Sequence, residues 1–323
     1  MKLILIAFLC IACQCVNVLT LEESFPLFEN RFNKVYADDS EREYRKKVFG
    51  RNLDFINTQN KLQKSYTLGI TPFSDLTNEE FKEKFVYNAE IMKRKESVVS
   101  NTNFQQLQSS LPHGIDWRDN AVTSVKNQRR CGSCWAFSAV GAIEGAYAIK
   151  DNILEDLSPQ HLVDCDTLDN GCSGGIMTNA FEYIMQNGVA LENEYPYRGN
   201  EGSCKKVQKT KTILGYYDVP PGSAYELQKA VTQNPVSVAI EADSAVFQNY
   251  VSGVIDDNSC GSSLNHGVLL VGYESTTRIP YYVVKNSWGE EWGEFGYVRL
   301  AIDKSYAGMC GINLMASYPF LDL

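Results

Sequence analysis

The sequence predicts an α+β protein with two lobes. Apolar residues recur at helical spacing through the first half of the chain, and short Val-, Ile- and Tyr-rich runs follow residue 210. Helices first and strands later segregate the two kinds of element. A polar stretch at 88–110, NAEIMKRKESVVSNTNFQQLQSS, separates a helix-rich front segment from a denser body and reads as an exposed linker. The 323 residues can bury a sizeable core, and 44% apolar with 21% charged residues is ordinary for a globular protein. A formal net charge of -9 argues against nucleic acid as the main partner.

At the N-terminus, Met1-Lys2 precedes an apolar run from Leu3 to Cys13, then small and polar residues to Thr20. One Lys before a short apolar run has the pattern of a secretory signal peptide, taken as residues 1–18, and is too short for a membrane span. In the next segment, Ser40 is expected to cap a helix beginning at Glu41. Tyr44, Val48, Leu53, Phe55 and Ile56 would form its apolar stripe.

Past Leu111, a helix is expected after Cys134. Trp135, Ala139, Ala142, Ile143, Ala146 and Ile149 stand at helical spacing, and the pattern stops at Asp151-Asn152. In LSPQHLVDC, Ser158 is an N-cap and Pro159 the first helical residue. TNAFEYIMQNG is a further short helix ending at Gly188. TILGYYDV, PVSVAIEA, GVLLVGYE, YYVVKN and GYVRLAI then read as strands bounded by Gly, Pro, Asn or Asp.

The cysteines carry the first hint of chemistry. Of ten, Cys10, Cys13 and Cys15 would leave with the signal peptide. Cys131, Cys134, Cys165, Cys172, Cys204, Cys260 and Cys310 remain, an odd set that leaves one thiol over in an oxidising compartment. The pair Cys131/Cys134 in QRRCGSCWAF could be a redox pair, half a zinc site, or a reactive thiol beside a structural one. A redox C-x-x-C usually follows a strand in a βαβ unit, and none is evident here. Zinc needs three or four compact ligands, and only His161 lies near Cys165 and Cys172. A nucleophile fits better: Cys134 stands where a helical pattern begins, and a helix N-terminus favours the thiolate. Its base would be His113, His161 or His266. His266 stands at the entry to an apolar strand, which would hold it rigidly.

At these residues the sequence resembles the papain-like cysteine proteases, and within them the cathepsin L type. Cys131-Gly132-Ser133-Cys134-Trp135 matches the family signature C-G-[SA]-C-[WY], with His266 and Asn286 at about the usual interval of roughly 130–150 residues downstream. NGCSGG at 170–175, KNSWG at 285–289 and EWGEFGY at 291–297 are further family blocks. In the front segment Glu41, Arg45, Phe49, Asn52, Ile56 and Asn60 keep the ERFNIN spacing of the propeptides, and Gly69, Phe73 and Asp75 resemble their second motif.

The resemblance implies a papain-like fold with a helical left lobe and a β-barrel-like right lobe, preceded by a helical inhibitory propeptide. It implies a signal peptide at 1–18, a propeptide with linker at 19–110 and a peptidase domain at 111–323. Cys134 would be the nucleophile, His266 its acid–base partner, Asn286 the residue orienting the imidazole, and Gln128 an oxyanion donor. Trp288 would shield the Asn286–His266 contact from water. Gly174 and Gly175 would line the substrate backbone, and Ile176, Met177, Ala239, Leu264, Gly267 and Met315 would wall an apolar second pocket. The disulfides would be Cys131–Cys172, Cys165–Cys204 and Cys260–Cys310.

The implied protein is a secreted or lysosomal endopeptidase made as a zymogen, in the secretory pathway and then a lysosome, a vacuole or outside the cell. Its partners would be protein and peptide substrates, its own propeptide as intramolecular inhibitor, and cystatin-like inhibitors. No nucleic acid, membrane span, metal or cofactor is expected, and a monomer is. The absence of an N-x-[ST] sequon speaks against glycan-based lysosomal sorting. A catalytically silent homologue, serving as a storage or binding protein, is the alternative. The chain departs from the family at Arg129-Arg130, where Gly usually follows the Gln, at Asn265, where Asp is common, and at Thr71, where Asn is usual.

Overall fold

The computed structural model describes residues 20–86, 110–208 and 210–322. The expected signal segment and all but the last residue of the expected linker lie outside them. The front segment holds α1 (Leu21–Arg31), α2 (Asp39–Asn60), β1 (Tyr66–Leu68) and α3 (Asn78–Phe85). The body continues with β2 (Gly114–Asp116), α4 (Cys134–Asp151), α5 (Pro159–Cys165), α6 (Met177–Asn187), β3 (Gly215–Asp218), α7 (Ala224–Val231), β4 (Val236–Ile240) and α8 (Ala245–Gln248). It ends with β5 (Tyr250–Ile255), β6 (His266–Glu274), β7 (Tyr281–Lys285), β8 (Tyr297–Ala301) and β9 (Ala316–Phe320).

Helices and strands segregate as the sequence implies. One apolar core gathers α4, α5 and α6 around Trp135, Ile143, Leu162 and Phe181. The other gathers the sheet around Val238, Leu270, Tyr282 and Trp292. The strands run in the order β1-β5-β8-β7-β6-β4-β9-β3, with β2 added against β6. All pairs are antiparallel except β5 with β8. β6 gives Val268 and Leu270 to the sheet core and Leu269 and Val271 to the helical one, and α4 packs against it, so the two elements meet at the seam between the cores. Among the described residues no helix is long and apolar enough to cross a membrane.

Local signals explain most boundaries. Ser158 accepts the N–H of His161 at 3.0 Å, and Pro159 opens α5 without needing a donor. Gly188 ends α6 at φ +70. Two expectations are corrected for α2. Its cap is Asp38, whose Oδ1 accepts the N–H of Glu41 at 2.8 Å, so the helix starts at Asp39 rather than at Glu41. A carboxylate cap also meets the positive end of the helix dipole. Tyr44 is exposed, and Phe49 takes the buried place against Phe25 and Phe28. In α4, Ile149 likewise faces outward. The strand expected over TILGYYDV is confined to Gly215–Asp218.

The ERFNIN positions lock the front segment to itself. Arg45 forks onto Glu80 at 2.9 and 2.7 Å and also donates to the Asp75 carbonyl. Glu41 accepts the Ala37 N–H at 2.8 Å. Asn52 donates to the carbonyls of Ser74 and Leu76, and Asn60 brackets Leu68 through both its N–H and its C=O. Phe49 and Ile56 are buried. Asp75 binds Lys34 at 2.9 Å and Tyr36 at 3.0 Å.

The front segment is docked on the body. β1 pairs with β5, and the Thr71 hydroxyl donates to the Gln248 carbonyl at 2.9 Å. Gln248 donates back to the carbonyls of Phe73 and Leu76. Gly253 makes the strand pairing possible: it sits at φ +94, and a Cβ there would lie 2.4 Å from the Ser65 carbonyl oxygen.

Candidate active site

Cys134 is the first residue of α4 and His266 the first of β6. The N–H of Gly267 donates to Cys134 Sγ at 3.0 Å, which sets the sulfur against the residue that follows His266. Cys134 is not in a disulfide; Cys131–Cys172, Cys165–Cys204 and Cys260–Cys310 are.

His266 Nε2 and Asn286 Oδ1 are 2.8 Å apart. Oδ1 also accepts the Ser287 N–H at 2.7 Å, so it acts as an acceptor and Nε2 must carry the proton. Nδ1 is then the acceptor face of a neutral ring, and it is buried without a hydrogen bond from another described residue. Trp288 stacks on the imidazole at 4.7 Å between ring centres, tilted by 28°. Burial pushes His266 down to about 4, while the bond to Asn286 acts the other way. In this form of the chain the ring is therefore neutral near pH 7.

Gln128 is wholly buried. Its Oε1 accepts the Ser287 hydroxyl at 2.6 Å, and its Nε2 donates to the Cys131 carbonyl at 3.1 Å. The second bond fixes which end of the amide is nitrogen, because a carbonyl only accepts, and an amide nitrogen carries two hydrogens. Tyr197 donates to the Gln128 carbonyl at 2.8 Å and contacts Ser133 Oγ at 2.6 Å. Ser287 lies inside the KNSWG block and Tyr197 in none of the blocks named above, and the sequence assigns neither a role. Arg129 adopts φ +57, the conformation the usual Gly would take freely, and its guanidinium donates to the Arg198 carbonyl at 3.1 Å. Asn265, the other departure, accepts the Ala242 N–H at 2.9 Å.

The expected pocket residues meet beside Cys134. Ala239 pairs with Gly267 across β4 and β6, and its N–H donates to the Met315 carbonyl at 3.0 Å. A Cβ on Gly267 would lie 3.1 Å from Met177 Sδ. Met177, Ala239, Leu264 and Met315 share one apolar cluster. Ile176 lies outside that cluster, half-buried, with its N–H on Asp169. Gly174 takes φ +117, and a Cβ on Gly175 would stand 2.6 Å from Trp135.

The front segment reaches the same place. Phe73 and Phe81 set their edges on Trp288 at 5.6 and 5.2 Å. The tryptophan that covers His266 is thus itself covered by residues preceding the linker. Among the described residues no group of His, Cys, Asp and Glu could hold a metal ion.

Comparison with known proteins gives a consistent picture. Residues 111–320 match the family described as papain family cysteine protease, and residues 25–81 match the cathepsin propeptide inhibitor domain (I29). The chain is 40% identical to cathepsin L of Sarcophaga peregrina, over 99% of each protein. It is 46% identical to cysteine proteinase RD21A of Arabidopsis thaliana, covering 86% of this chain but 62% of that protein's length. The solved structure of a recombinant stem bromelain precursor superposes with a TM-score of 0.86 at 42% identity, covering 94% of this chain and 99% of that one.

Proposed function

Since the chain belongs to the papain family of cysteine proteases and carries that family's propeptide inhibitor domain, we propose that it hydrolyses peptide bonds through Cys134, His266 and Asn286. The observation that carries this reading is the neutral imidazole fixed by Asn286 at 2.8 Å, with its second nitrogen buried and unbonded and Cys134 Sγ held by the N–H of the very next residue, Gly267. Transfer of the Cys134 proton to His266 Nδ1 gives a thiolate and an imidazolium. The thiolate attacks the scissile carbonyl. The oxyanion is held by the second N–H of Gln128 Nε2 and by the Cys134 backbone N–H. His266 returns its proton to the leaving amine, and the C–N bond breaks to leave a thioester. Water, deprotonated by His266, then attacks the thioester and releases the acid and the thiol.

The apolar walls Met177, Ala239, Leu264, Gly267 and Met315 favour an apolar side chain at P2. Gly174 and Gly175 would carry the extended substrate backbone. Residues 19–110 serve as the intramolecular inhibitor, and residues 111–323 as the peptidase that acts as an endopeptidase. The disulfides fit an oxidising compartment, and the secretory pathway followed by a lysosome-like, vacuolar or extracellular site is the reading we favour. Proteins resembling cystatins are expected inhibitors. The test is to incubate the full chain at acid pH and assay a peptide amide with and without thiol. Hydrolysis without thiol dependence would refute the mechanism.

A further inference from the structure

Beneath the Gly174–Gly175 turn two carboxyl groups meet inside the protein. Asp169 Oδ1 accepts the Ile176 N–H and the Asn179 side-chain N–H, each at 2.9 Å. Asp166 Oδ1 accepts the Leu168 N–H at 2.8 Å. A Cβ on Gly175 would lie 2.6 Å from Asp169 Cγ, so this carboxyl group packs directly under the turn. The remaining oxygens, Asp166 Oδ2 and Asp169 Oδ2, are both shut off from solvent, and no N–H or O–H of the described residues donates to them. The two carboxyl groups lie near enough for each to act on the other's proton affinity. Two ionised carboxylates in contact repel, whereas one proton between them makes a strong bond.

Burial first, and the Asp166 charge second, push Asp169 well above the usual carboxylate range. The groups facing the pair from neighbouring elements do not compensate it. Glu182 on α6 adds negative charge. Tyr183 on α6 is itself pushed up by burial and by Asp166. His161 on α5 sets its ring edge-on to Tyr183 at 6.1 Å. From the far side of the turn, Glu201 accepts the Cys172 N–H at 3.3 Å.

We propose that Asp166 and Asp169 share one proton and, through Asp169, position the Gly174–Ile176 backbone, so that substrate affinity depends on that proton. This rests on the reading of Gly174 and Gly175 as the residues that align substrate. Loss of the proton to solvent leaves two anions under the turn, and their repulsion loosens the segment that Asp169 holds by the Ile176 N–H. An acid whose folded-state affinity for its proton is raised contributes stability at low pH, and the contribution is lost as pH rises through the folded value. Substrate binding therefore weakens toward alkaline pH.

The experiment uses enzyme matured from the full chain and a peptide substrate without titratable groups. KM and kcat are measured separately from about pH 5 to about pH 9, alongside the rate of Cys134 alkylation by iodoacetamide. KM should rise about tenfold in the parent enzyme, the change made by a single unit of pKa between free and substrate-bound forms. Asp169→Asn supplies a permanent N–H to Asp166 and keeps an oxygen for Ile176, and it should flatten the rise in KM. Asp166→Asn should do the same from the other side, whereas Asp169→Ala should raise KM at every pH. Variants whose KM rises as in the parent would overturn the proposal while leaving the cleft assignment intact. If instead Gly175→Ala leaves KM unchanged, the cleft assignment itself fails.

Discussion

His266 Nε2 and Asn286 Oδ1 lie 2.8 Å apart beneath Trp288. The contact fixes the proton on Nε2 and so presents Nδ1 as a base. Asn286→Ala leaves the imidazole free to rotate and to exchange tautomers. We expect kcat to fall about 10²-fold, the typical contribution of positioned acid–base catalysis, with KM little changed. Steady-state kinetics on the matured variant checks this, and a fall confined to KM would contradict it.

Ser287 holds the Gln128 side chain at 2.6 Å, and on the proposed mechanism that amide is an oxyanion donor. Gln128→Ala should lower kcat by about 10²–10³. Ser287→Ala, which frees the amide to flip, should lower kcat in the same direction by less. Equal kcat in Gln128→Ala and parent enzyme would remove this residue from the mechanism.

On the proposed reading, Met177, Ala239, Leu264, Gly267 and Met315 wall the second pocket. Leu, Phe or Val is expected at P2, with weak selection at P1. Burying one such side chain is worth about 1.5–3 kcal/mol. Profiling with a peptide library tests it; a dominant basic P2 would refute the wall assignment, since these walls carry no counter-charge.

Acid should release the front segment, and two groups give the sign. Burial holds His266 down at about 4 in the closed form, so between its ordinary value of 6.5 and about 4 an opened form binds more protons than the closed one. Closed-form stability is therefore lost as pH falls through that window. Glu80 is raised by burial, but the Arg45 fork outweighs this and holds it below its ordinary 4.5. Its contribution is present above that value and lost on further acidification. Glu80→Gln and Gly253→Ala should both move processing toward neutral pH. Mass and N-terminal sequence of the chain incubated from about pH 7 to about pH 4 provide the check. Equally fast processing across that range would exclude acid triggering.

Much of the molecule is legible in its amino-acid sequence. The catalytic constellation is readable because Cys134, His266 and Asn286 sit in short blocks whose residue types the chemistry dictates. Helices α4, α5 and α6 carry periodicity and caps. Strand β5 is not legible because Gly253, held at φ +94 by its neighbour β1, interrupts the alternation. Pro319 hides β9, an inner strand between β4 and β3; it can sit there because β4 pairs only with Ala316 and Ser317, leaving Pro319 opposite Tyr216 of the edge strand β3 alone. The three residues of β1 form a strand only because β5 supplies their partners. The supports of the site, Ser287, Tyr197 and the Asp166–Asp169 pair, act through contacts between segments far apart in the chain. No local pattern announces such contacts.

The central claim is that Cys134 is the nucleophile and Cys131 a structural partner of Cys172. The direct measurement is peptide-amide hydrolysis by the acid-treated chain, with mass mapping after reaction with a thiol-directed epoxide. Turnover should be abolished by the epoxide through one adduct, on Cys134. Cys134→Ala should show no turnover while keeping all its disulfides, and Cys131→Ala should lose about 2–5 kcal/mol of stability. Retained hydrolysis in Cys134→Ala, or a Cys131–Cys134 bridge in the active protein, would contradict it.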